Sequence, residues 1–340
     1  MRIILFFMLL IPFSGLAQTY ELGSLTTAAN TSIRGLSVVS DSVAWVSGSN
    51  GTIGITTDGG KKWKWTKPKG YEKLDFRDIE AFDDNHAVIV NAGSPAYILR
   101  TEDGGKNWTE NYKNADSAIF LDGMDFWDEK NGIIFGDPIQ NRIQLLITND
   151  GGKSWKDISS ASKLQTENGE AGFAASGSTI KTLPGGRVWI ATGGKRSHIY
   201  TSEDFGLNWR RYDCPILQGE SSTGAFSIDF YDASQGIVVG GDYQKDKENN
   251  NNILLTKDGG KSWDKPSRPV FGYRSGVIWY DAKNCIATGT SGTDVSRDGG
   301  QNWYHISDES FNAIKKAKKG SLVLLAGNKG LIYSFKVKLN

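Results

Sequence analysis

Short apolar or alternating runs recur along the whole chain, separated by polar segments rich in glycine. Runs of this length predict β-strands, because amphipathic helices need longer stretches with a period near 3.6 residues. One set of runs ends in Gly or a loop and comprises residues 33–39, 87–90, 132–135, 187–191, 236–239 and 285–287. A second set leads directly into a recurring tight turn and comprises residues 53–56, 97–100, 144–148, 198–201 and 253–256. The pattern predicts an all-β fold.

The recurring turn is an octapeptide that occurs six times, in forms such as TTDGGKKW at 56–63 and SRDGGQNW at 296–303. Its aspartates lie 40 to 54 residues apart, which suits a blade of four strands. The carboxylate can accept hydrogen bonds from backbone N–H groups just ahead, and the glycines supply positive φ. We therefore predict a structural role for the six aspartates, Asp58, Asp103, Asp150, Asp204, Asp258 and Asp298.

Although the turn motif occurs six times, we predict seven blades, because the chain continues beyond the last motif. Residues 311–315, 322–326 and 331–337 look like three further strands without a turn motif. The missing fourth strand can come from residues 20–25, which would join the two chain ends and leave no open sheet edge. The sequence thus predicts a single seven-bladed β-propeller over residues 18–340, with four-stranded antiparallel blades. The alternative is six blades and a loose C-terminal tail.

The octapeptides resemble the Asp-box, or BNR, repeat of sialidases, sortilin-type receptors and photosystem II stability/assembly factors. The form DGGKxW, together with GGDY at 240–243 and GYRSGV at 272–277, is most similar to the assembly-factor group. The resemblance covers roughly residues 20 to 340. It implies an exported or lumenal propeller that serves binding or assembly, and it does not imply photosynthesis itself.

Residues 1–17, MRIILFFMLLIPFSGLA, have the features of a cleaved secretory signal peptide. Arg2 forms a short basic region, an apolar stretch too short to span a bilayer follows, and Gly15 and Ala17 suit cleavage before Gln18. The alternative is an uncleaved N-terminal anchor. We expect a secreted or periplasmic protein with no transmembrane segment after cleavage.

Composition argues against several classes of function. The 39 basic and 38 acidic residues do not favour a nucleic-acid-binding protein. With two cysteines, three histidines and no Gly-rich phosphate loop, the chain is expected to hold no metal and no cofactor.

Candidate site residues follow from the expected propeller geometry, in which ligands bind opposite the Asp-box turns. Strand starts and loops on that face carry the candidate ligand-binding residues Arg34, Arg77, Arg274, Asp122 and Lys195. Candidate catalytic residues on the same face are Asp242, Tyr243, Asp137 and Glu170. Arginines grouped near the axis suit a carboxylate or sulfate, and Arg274 is expected to project into the channel mouth. The alternative is that these charges pair with one another.

Two functions fit this pattern. The first is a non-catalytic, monomeric propeller that binds a protein partner or an anionic ligand. The second is a saccharide-active enzyme, either a glycoside hydrolase or a polysaccharide lyase, that uses the Arg/Asp/Tyr cluster. Sialidases carry an early Phe/Tyr-Arg-Ile-Pro segment, whereas this chain has Ser32-Ile33-Arg34-Gly35, which weighs against a sialidase.

Overall fold

The computed structural model describes residues 18–27 and 30–339, and the predicted signal peptide lies outside this part of the chain. The described residues form 29 β-strands and a 3₁₀ turn at Asn328–Gly330. Within them, no helix has the length and apolar character needed to cross a membrane.

The strands form seven antiparallel sheets, which are the blades of a β-propeller. We call the strands of each blade A to D from the central axis outward. In the order A to D, blade 1 contains β2 (Ile33–Val38), β3 (Ala44–Gly48), β4 (Ile53–Thr56) and β5 (Lys64–Thr66). Blade 2 contains β6 (Phe76–Ala81), β7 (Ala87–Asn91), β8 (Ala96–Thr101) and β9 (Thr109–Asn114). Blade 3 contains β10 (Leu121–Phe126), β11 (Gly132–Ile139), β12 (Arg142–Thr148) and β13 (Lys156–Asp157). The prediction of an all-β, seven-bladed propeller is confirmed.

The remaining blades follow the same plan with one variation. Blade 4 contains β15 (Ile180–Leu183), β16 (Arg187–Ala191), β18 (His198–Ser202) and β19 (Arg210–Asp213). Blade 6 contains β23 (Gly276–Trp279), β24 (Cys285–Gly289), β25 (Gly292–Ser296) and β26 (Trp303–Ser307). Blade 7 contains β27 (Ala313–Lys316), β28 (Val323–Ala326), β29 (Leu331–Leu339) and β1 (Gln18–Thr27). Blade 5 has β20 (Thr223–Phe230), β21 (Gly236–Asp242) and β22 (Ile253–Thr256), and a bridge between Leu255 and Asp264 replaces strand D. Two short strands, β14 (Glu170–Ala171) and β17 (Gly193–Gly194), extend that sheet beside β20.

The N-terminal strand closes the ring. β1 pairs antiparallel with β29 from Gln18 opposite Leu339 to Thr27 opposite Leu331, and so supplies strand D of the last blade. The pairing occupies the edge of β29 that would otherwise be free to pair with another chain. The shared blade therefore ties the two ends of the propeller together.

The core lies between neighbouring blades. Trp45 and Ile53 of blade 1, for example, pack in one cluster with Phe76 and Ile89 of blade 2. All four side chains are almost fully buried, and each such burial contributes about 2 kcal/mol through removal of apolar surface from water. Because each apolar layer is shared by two blades, the blades stabilise one another.

The six Asp-box turns share one hydrogen-bond pattern. In each, the Ser or Thr hydroxyl donates to Oδ1 of the aspartate, and the same oxygen accepts the N–H four residues ahead, at 2.8 to 3.0 Å. The N–H two residues after the aspartate, which belongs to a glycine in every turn, donates to the hydroxyl at 2.9 to 3.0 Å. The aspartates thus hold the turn between strands C and D.

Candidate functional site

The starts of the innermost strands form a ring of side chains around the axis. In four of the seven blades the pairing of strands A and B is interrupted by a β-bulge, and the bulged residues are Arg34, Arg77, Asp122 and Phe226. A bulge re-aims the extra side chain out of the sheet, and here all four line the same cavity on the axis.

The cavity has a volume of about 500 Å³ and opens at one face of the propeller. Its lining lies where strands A begin, whereas the Asp-box turns follow the ends of strands C. Because successive strands in a blade are antiparallel, these two sets of residues lie at opposite ends of the blades. The cavity is therefore on the face away from the Asp-box turns.

The cavity is closed at its inner end by residues 172–178, which cross the axis ahead of strand A of blade 4. The amide of Gly172 donates to Asp137 in blade 3 at 2.8 Å, and the carbonyl of Ala175 accepts from Arg34 in blade 1 at 3.0 Å. The Ser176 hydroxyl donates to the Ser275 carbonyl in front of blade 6 at 2.6 Å. With contacts to several blades, this segment forms the floor of a blind pocket.

The floor also needs a glycine at position 177. Gly177 has a φ of 66°, and a Cβ there would lie 2.3 Å from the carboxylate of Asp78. Asp78 is buried and accepts the amide of Met124 at 2.7 Å. A larger residue at position 177 would therefore displace the floor, or Asp78 and the strand β6 that carries it.

One side of the cavity is cationic. Arg34 donates to the Ala175 carbonyl, and no carboxylate among the described residues lies within ion-pair distance of it. Burial and the neighbouring Arg77 lower the pKa of Arg34 below its usual value. Arg77 is held by Asp75, with Nε 2.8 Å from Oδ2, and stays partly exposed. The two guanidinium groups therefore lie close together, and of the two only Arg77 makes an ion pair with a described residue.

Next to the arginines lies a pair of carboxyl groups. Asp122 is almost fully buried, and neither of its oxygens makes a well-formed hydrogen bond to a described residue. Burial and the nearby Asp137 raise the pKa of Asp122 well above its usual value, and Arg77 opposes that rise. Burial also raises the pKa of Asp137. Because burial and the neighbouring carboxyl group favour its protonated form, Asp122 can donate as well as accept a hydrogen bond.

The opposite side of the cavity is aromatic. Phe173 of the floor stacks on Phe226 with ring centroids 3.9 Å apart, and Tyr273 and Tyr243 meet the Phe226 ring edge-on. Tyr243 is half exposed, whereas Tyr273 is buried. Burial raises the pKa of Tyr273, and Arg34 opposes the rise. The pocket therefore combines a charged half with a flat apolar half.

Five of the nine candidate residues meet at this cavity, namely Arg34, Arg77, Asp122, Asp137 and Tyr243. Arg274 does not project into the channel mouth, contrary to the expectation from sequence. It is fully buried, with Nε donating to Asp294 at 2.9 Å and Nη2 2.6 Å from the same oxygen. Lys195 is exposed on a loop outside the cavity lining.

The other two candidates also lie away from the cavity. Asp242 is buried at the end of β21, where it accepts the amide of Gln244 at 2.9 Å. Glu170 is not at the start of a strand A, because a long connection after blade 3 places it in β14. It accepts hydrogen bonds from Thr192 and Tyr200. Burial alone would raise the pKa of Glu170, but the nearby His198 and Thr192 lower it below its usual value.

Of the aromatic half of the site, sequence reasoning identified Tyr243 and missed Phe173, Phe226 and Tyr273. In GYRSGV it selected Arg274, whereas the neighbouring Tyr273 faces the cavity, because adjacent residues in an extended chain point to opposite sides. Phe226 occupies in blade 5 the bulge position of Arg34 and Arg77, and an alignment of the seven strand starts would have identified it. Phe173 lies in an insertion that no repeat pattern predicts. Among the described residues, no group of three His, Cys, Asp or Glu side chains is arranged to hold a metal ion.

Comparison with known proteins identifies similar chains. A family model described as "Photosynthesis system II assembly factor YCF48" matches residues 17–117, and one described as "Sortilin, neurotensin receptor 3" matches residues 143–284. The photosystem II assembly lipoprotein Ycf48 of Synechococcus sp. (strain CC9902) is 25% identical over 253 residues, which are 64% of this chain and 70% of that protein.

Solved structures show the same fold. YCF48 bound to a D1 peptide aligns with a TM-score of 0.66 and 18% identity over 93% of this chain and 96% of that one. YCF48 from Cyanidioschyzon merolae aligns with a TM-score of 0.67 and 17% identity over 92% and 98% of the two chains. The chain is thus a BNR-type propeller similar to the photosystem II assembly factors, as the DGGKxW form of its turns predicted.

Proposed function

We propose that this Asp-box propeller is an exported binding protein that seats a segment of a protein partner in the blind cavity opposite the Asp-box turns. The observation that carries the proposal is the cavity itself, in which Arg34 and Arg77 face the Phe173–Phe226 stack across the floor formed by residues 172–178. Because the charged and apolar halves share one pocket, the preferred segment carries a carboxylate and an aromatic or aliphatic side chain next to each other.

A protein partner is supported by the similar chains. One structure with the same fold is YCF48 bound to a D1 peptide, and the curated relative is an assembly lipoprotein. Recognition of a segment also fits the chemistry of the cavity. Forked guanidinium groups bind a carboxylate bidentately, and aromatic faces accept an apolar side chain with little loss of their own freedom.

The carboxyl pair adds a further requirement. The amides of Ala174 and Asp137 approach the buried Asp122 carboxyl group without forming well-aligned hydrogen bonds, so this group can still accept a further donor. A ligand that offers a backbone N–H, a hydroxyl or an amine beside its carboxylate satisfies this group. A peptide provides such donors at every residue, whereas a simple anion such as sulfate does not.

Export and a monomeric state are parts of the same proposal. Cleavage before Gln18 would retain every described residue of β1, Gln18–Thr27. Mass spectrometry of the mature protein tests this part, with a chain that starts at Gln18 as the expected result. Retention of residues 1–17 in the mature chain contradicts it.

The binding proposal is tested with short fluorescein-labelled peptides of equal length. One is acidic with a phenylalanine, one is acidic without an aromatic residue, and one is basic with a phenylalanine. Fluorescence anisotropy should show the strongest binding for the first, weakening as salt rises. Arg34→Gln with Arg77→Gln should weaken it by about tenfold or more, which corresponds to about 1.4 kcal/mol.

Lys195→Gln is the matched control, because it removes one positive charge from a residue outside the cavity lining. It should bind as the parent does. Equal binding of the three peptides, or equal losses in the Lys195 and the double arginine variants, would contradict a specific cavity.

A saccharide-active enzyme is the second candidate, favoured by one observation. Asp122 and Asp137 are adjacent carboxyl groups with raised pKa values, an arrangement from which glycosidases obtain a general acid. Tyr243 lies in the same cavity, whereas Asp242 and Glu170 do not. Release of reducing sugar from a glycan panel, abolished by Asp137→Asn, would establish this function in place of the first.

A further inference from the structure

The fourth Asp-box turn differs from the other five at two positions. The residue after the aspartate is Phe205, where the other turns have Gly59, Gly104, Gly151, Gly259 and Gly299. Two residues later stands Leu207, where the others have Lys61, Lys106, Lys153, Lys261 and Gln301. Both replacements put a large apolar side chain where the repeat has a small or polar one.

The backbone of the turn is unchanged by the replacements. Phe205 has a φ of 60°, the left-handed conformation that its glycine counterparts adopt, although a bulky residue rarely occupies that region. Its amide donates to the Gly186 carbonyl at 2.9 Å, as the amide of Gly59 donates to Ser42 at 2.9 Å. The phenylalanine therefore occupies a position for which glycine is better suited.

Packing explains only part of this choice. The Phe205 ring meets Trp127 edge-on at 5.2 Å and lies over Gly186, where a Cβ would be 2.8 Å from the ring. Even so, Phe205 remains 42% exposed and Leu207 58% exposed. A turn that uses a strained backbone to hold apolar side chains on the surface is better explained by a partner than by folding.

A cavity of about 520 Å³ lies beside the turn, between blades 3 and 4. Leu207, Trp209 and Leu164 supply its apolar wall, and its charged lining residues are Lys163, Arg210 and Arg211. Arg211 lies 3.7 Å from Glu167, whereas no ion pair of Lys163 or Arg210 is found among the described residues. No carboxylate lies among the described lining residues, so the cavity complements negative charge.

We propose that this surface, made of Phe205, Leu207 and the adjoining basic cavity, is a second docking site for a protein partner. It fits a segment in which acidic and large aliphatic side chains alternate, with the aliphatic groups on Leu207 and Trp209 and the carboxylates on Lys163 and Arg210. It lies on the Asp-box face and is independent of the axial cavity. The protein can thus contact partner segments on both faces.

The test uses a short peptide of alternating Glu and Leu as its probe, with an alternating Lys and Leu peptide for comparison. Both are titrated into the Arg34→Gln/Arg77→Gln variant, so that the axial cavity does not contribute. Leucine methyl NMR identifies the Leu207 signal by its loss in Leu207→Lys. The acidic peptide should shift that signal saturably, and the basic peptide should not.

Phe205→Gly with Leu207→Lys then restores the sequence of the ordinary turns. It should weaken binding of the acidic peptide by about tenfold or more, while leaving the midpoint of urea unfolding unchanged or higher, since glycine suits the φ of that position. If the double variant unfolds more easily, Leu207→Lys alone, at an exposed side chain, carries the test. Lys261 occupies the position of Leu207 in the turn of blade 5. As a control, Lys261→Leu should not create a second binding site for the acidic peptide.

Unchanged affinity in Leu207→Lys, or shifts that miss the Leu207 signal, would overturn the proposal. So would equal binding of the two peptides. Because the titration uses the variant that lacks the two cavity arginines, these outcomes do not bear on the proposal for the axial cavity, which is tested by its own experiment.

Discussion

Replacing Arg274 by glutamine should destabilise the protein strongly, although sequence reasoning placed this residue in the ligand site. The side chain is 0% exposed and its partner Asp294 is 1% exposed, so the substitution leaves a carboxylate in the interior without its guanidinium. Removing one partner of a buried ion pair costs about 3–5 kcal/mol. In the variant Asp294 retains two hydrogen-bond partners, the amide of Phe271 at 2.9 Å and the ring of His305 at 3.0 Å. We therefore expect the free energy of unfolding to fall by about 3 kcal/mol, near the lower limit of that range.

Urea unfolding followed by tryptophan fluorescence measures the loss directly. Arg34→Gln is the matched comparison and should cost about 1 kcal/mol, since that side chain gives up a single hydrogen bond to the Ala175 carbonyl. Arg274→Gln combined with Asp294→Asn should be more stable than Arg274→Gln alone, because the second change removes the unpaired charge. A cost for Arg274→Gln below about 1 kcal/mol would refute this reasoning.

Three further substitutions or deletions have defined outcomes. Asp150→Ala should lower the free energy of unfolding by about 1–2 kcal/mol through loss of the bonds to Ser154 and Thr148, without changing peptide affinity in the axial cavity; a loss of binding at an unaltered midpoint would contradict this. Deleting residues 18–27 should expose the edge of β29 and cause concentration-dependent aggregation by light scattering, so a soluble truncated chain with parental stability would argue against ring closure by β1. Asp122→Asn should stabilise the protein at neutral pH. The pKa of Asp122 is higher in the folded than in the unfolded state, so the stability that Asp122 contributes is fully present below about pH 4 and is lost as the pH rises through the folded-state pKa. Unfolding measured from pH 3 to 8 should therefore show the advantage of the variant disappearing at the acidic end, and a constant difference would exclude titration of Asp122 as the cause.

Much of the fold was predictable because the repeat encodes it locally. Each Asp-box turn uses hydrogen bonds within a few residues, so the sequence TxDGGKxW is sufficient to predict its geometry. The closing strand was predictable from the chain after Trp303, which has three strand-like runs and lacks a fourth. The missing strand could come only from elsewhere in the chain, and β1 supplies it.

The site was predictable only where the repeat positions it. Arg34, Arg77 and Asp122 were found because they lie at the starts of strands A, where the blades converge on the axis. The floor was not found, since residues 172–178 belong to an insertion whose path depends on contacts with several blades. Arg274 was misassigned because the direction of a side chain in an irregular segment depends on its neighbours, here Asp294 and Ser291.

The proposed function depends most directly on where a partner segment binds, and hydrogen-exchange mass spectrometry can measure this. The acidic, phenylalanine-bearing peptide would be added at saturating concentration to the mature chain, and amide exchange would be followed across the whole protein. Slower exchange is expected in the floor segment, residues 172–178, and in the strand starts near Phe226 and Ser275, with less protection of that region in the Arg34→Gln/Arg77→Gln variant at the same peptide concentration. Protection confined to the Asp-box turns, with unchanged exchange in the floor segment, would contradict it.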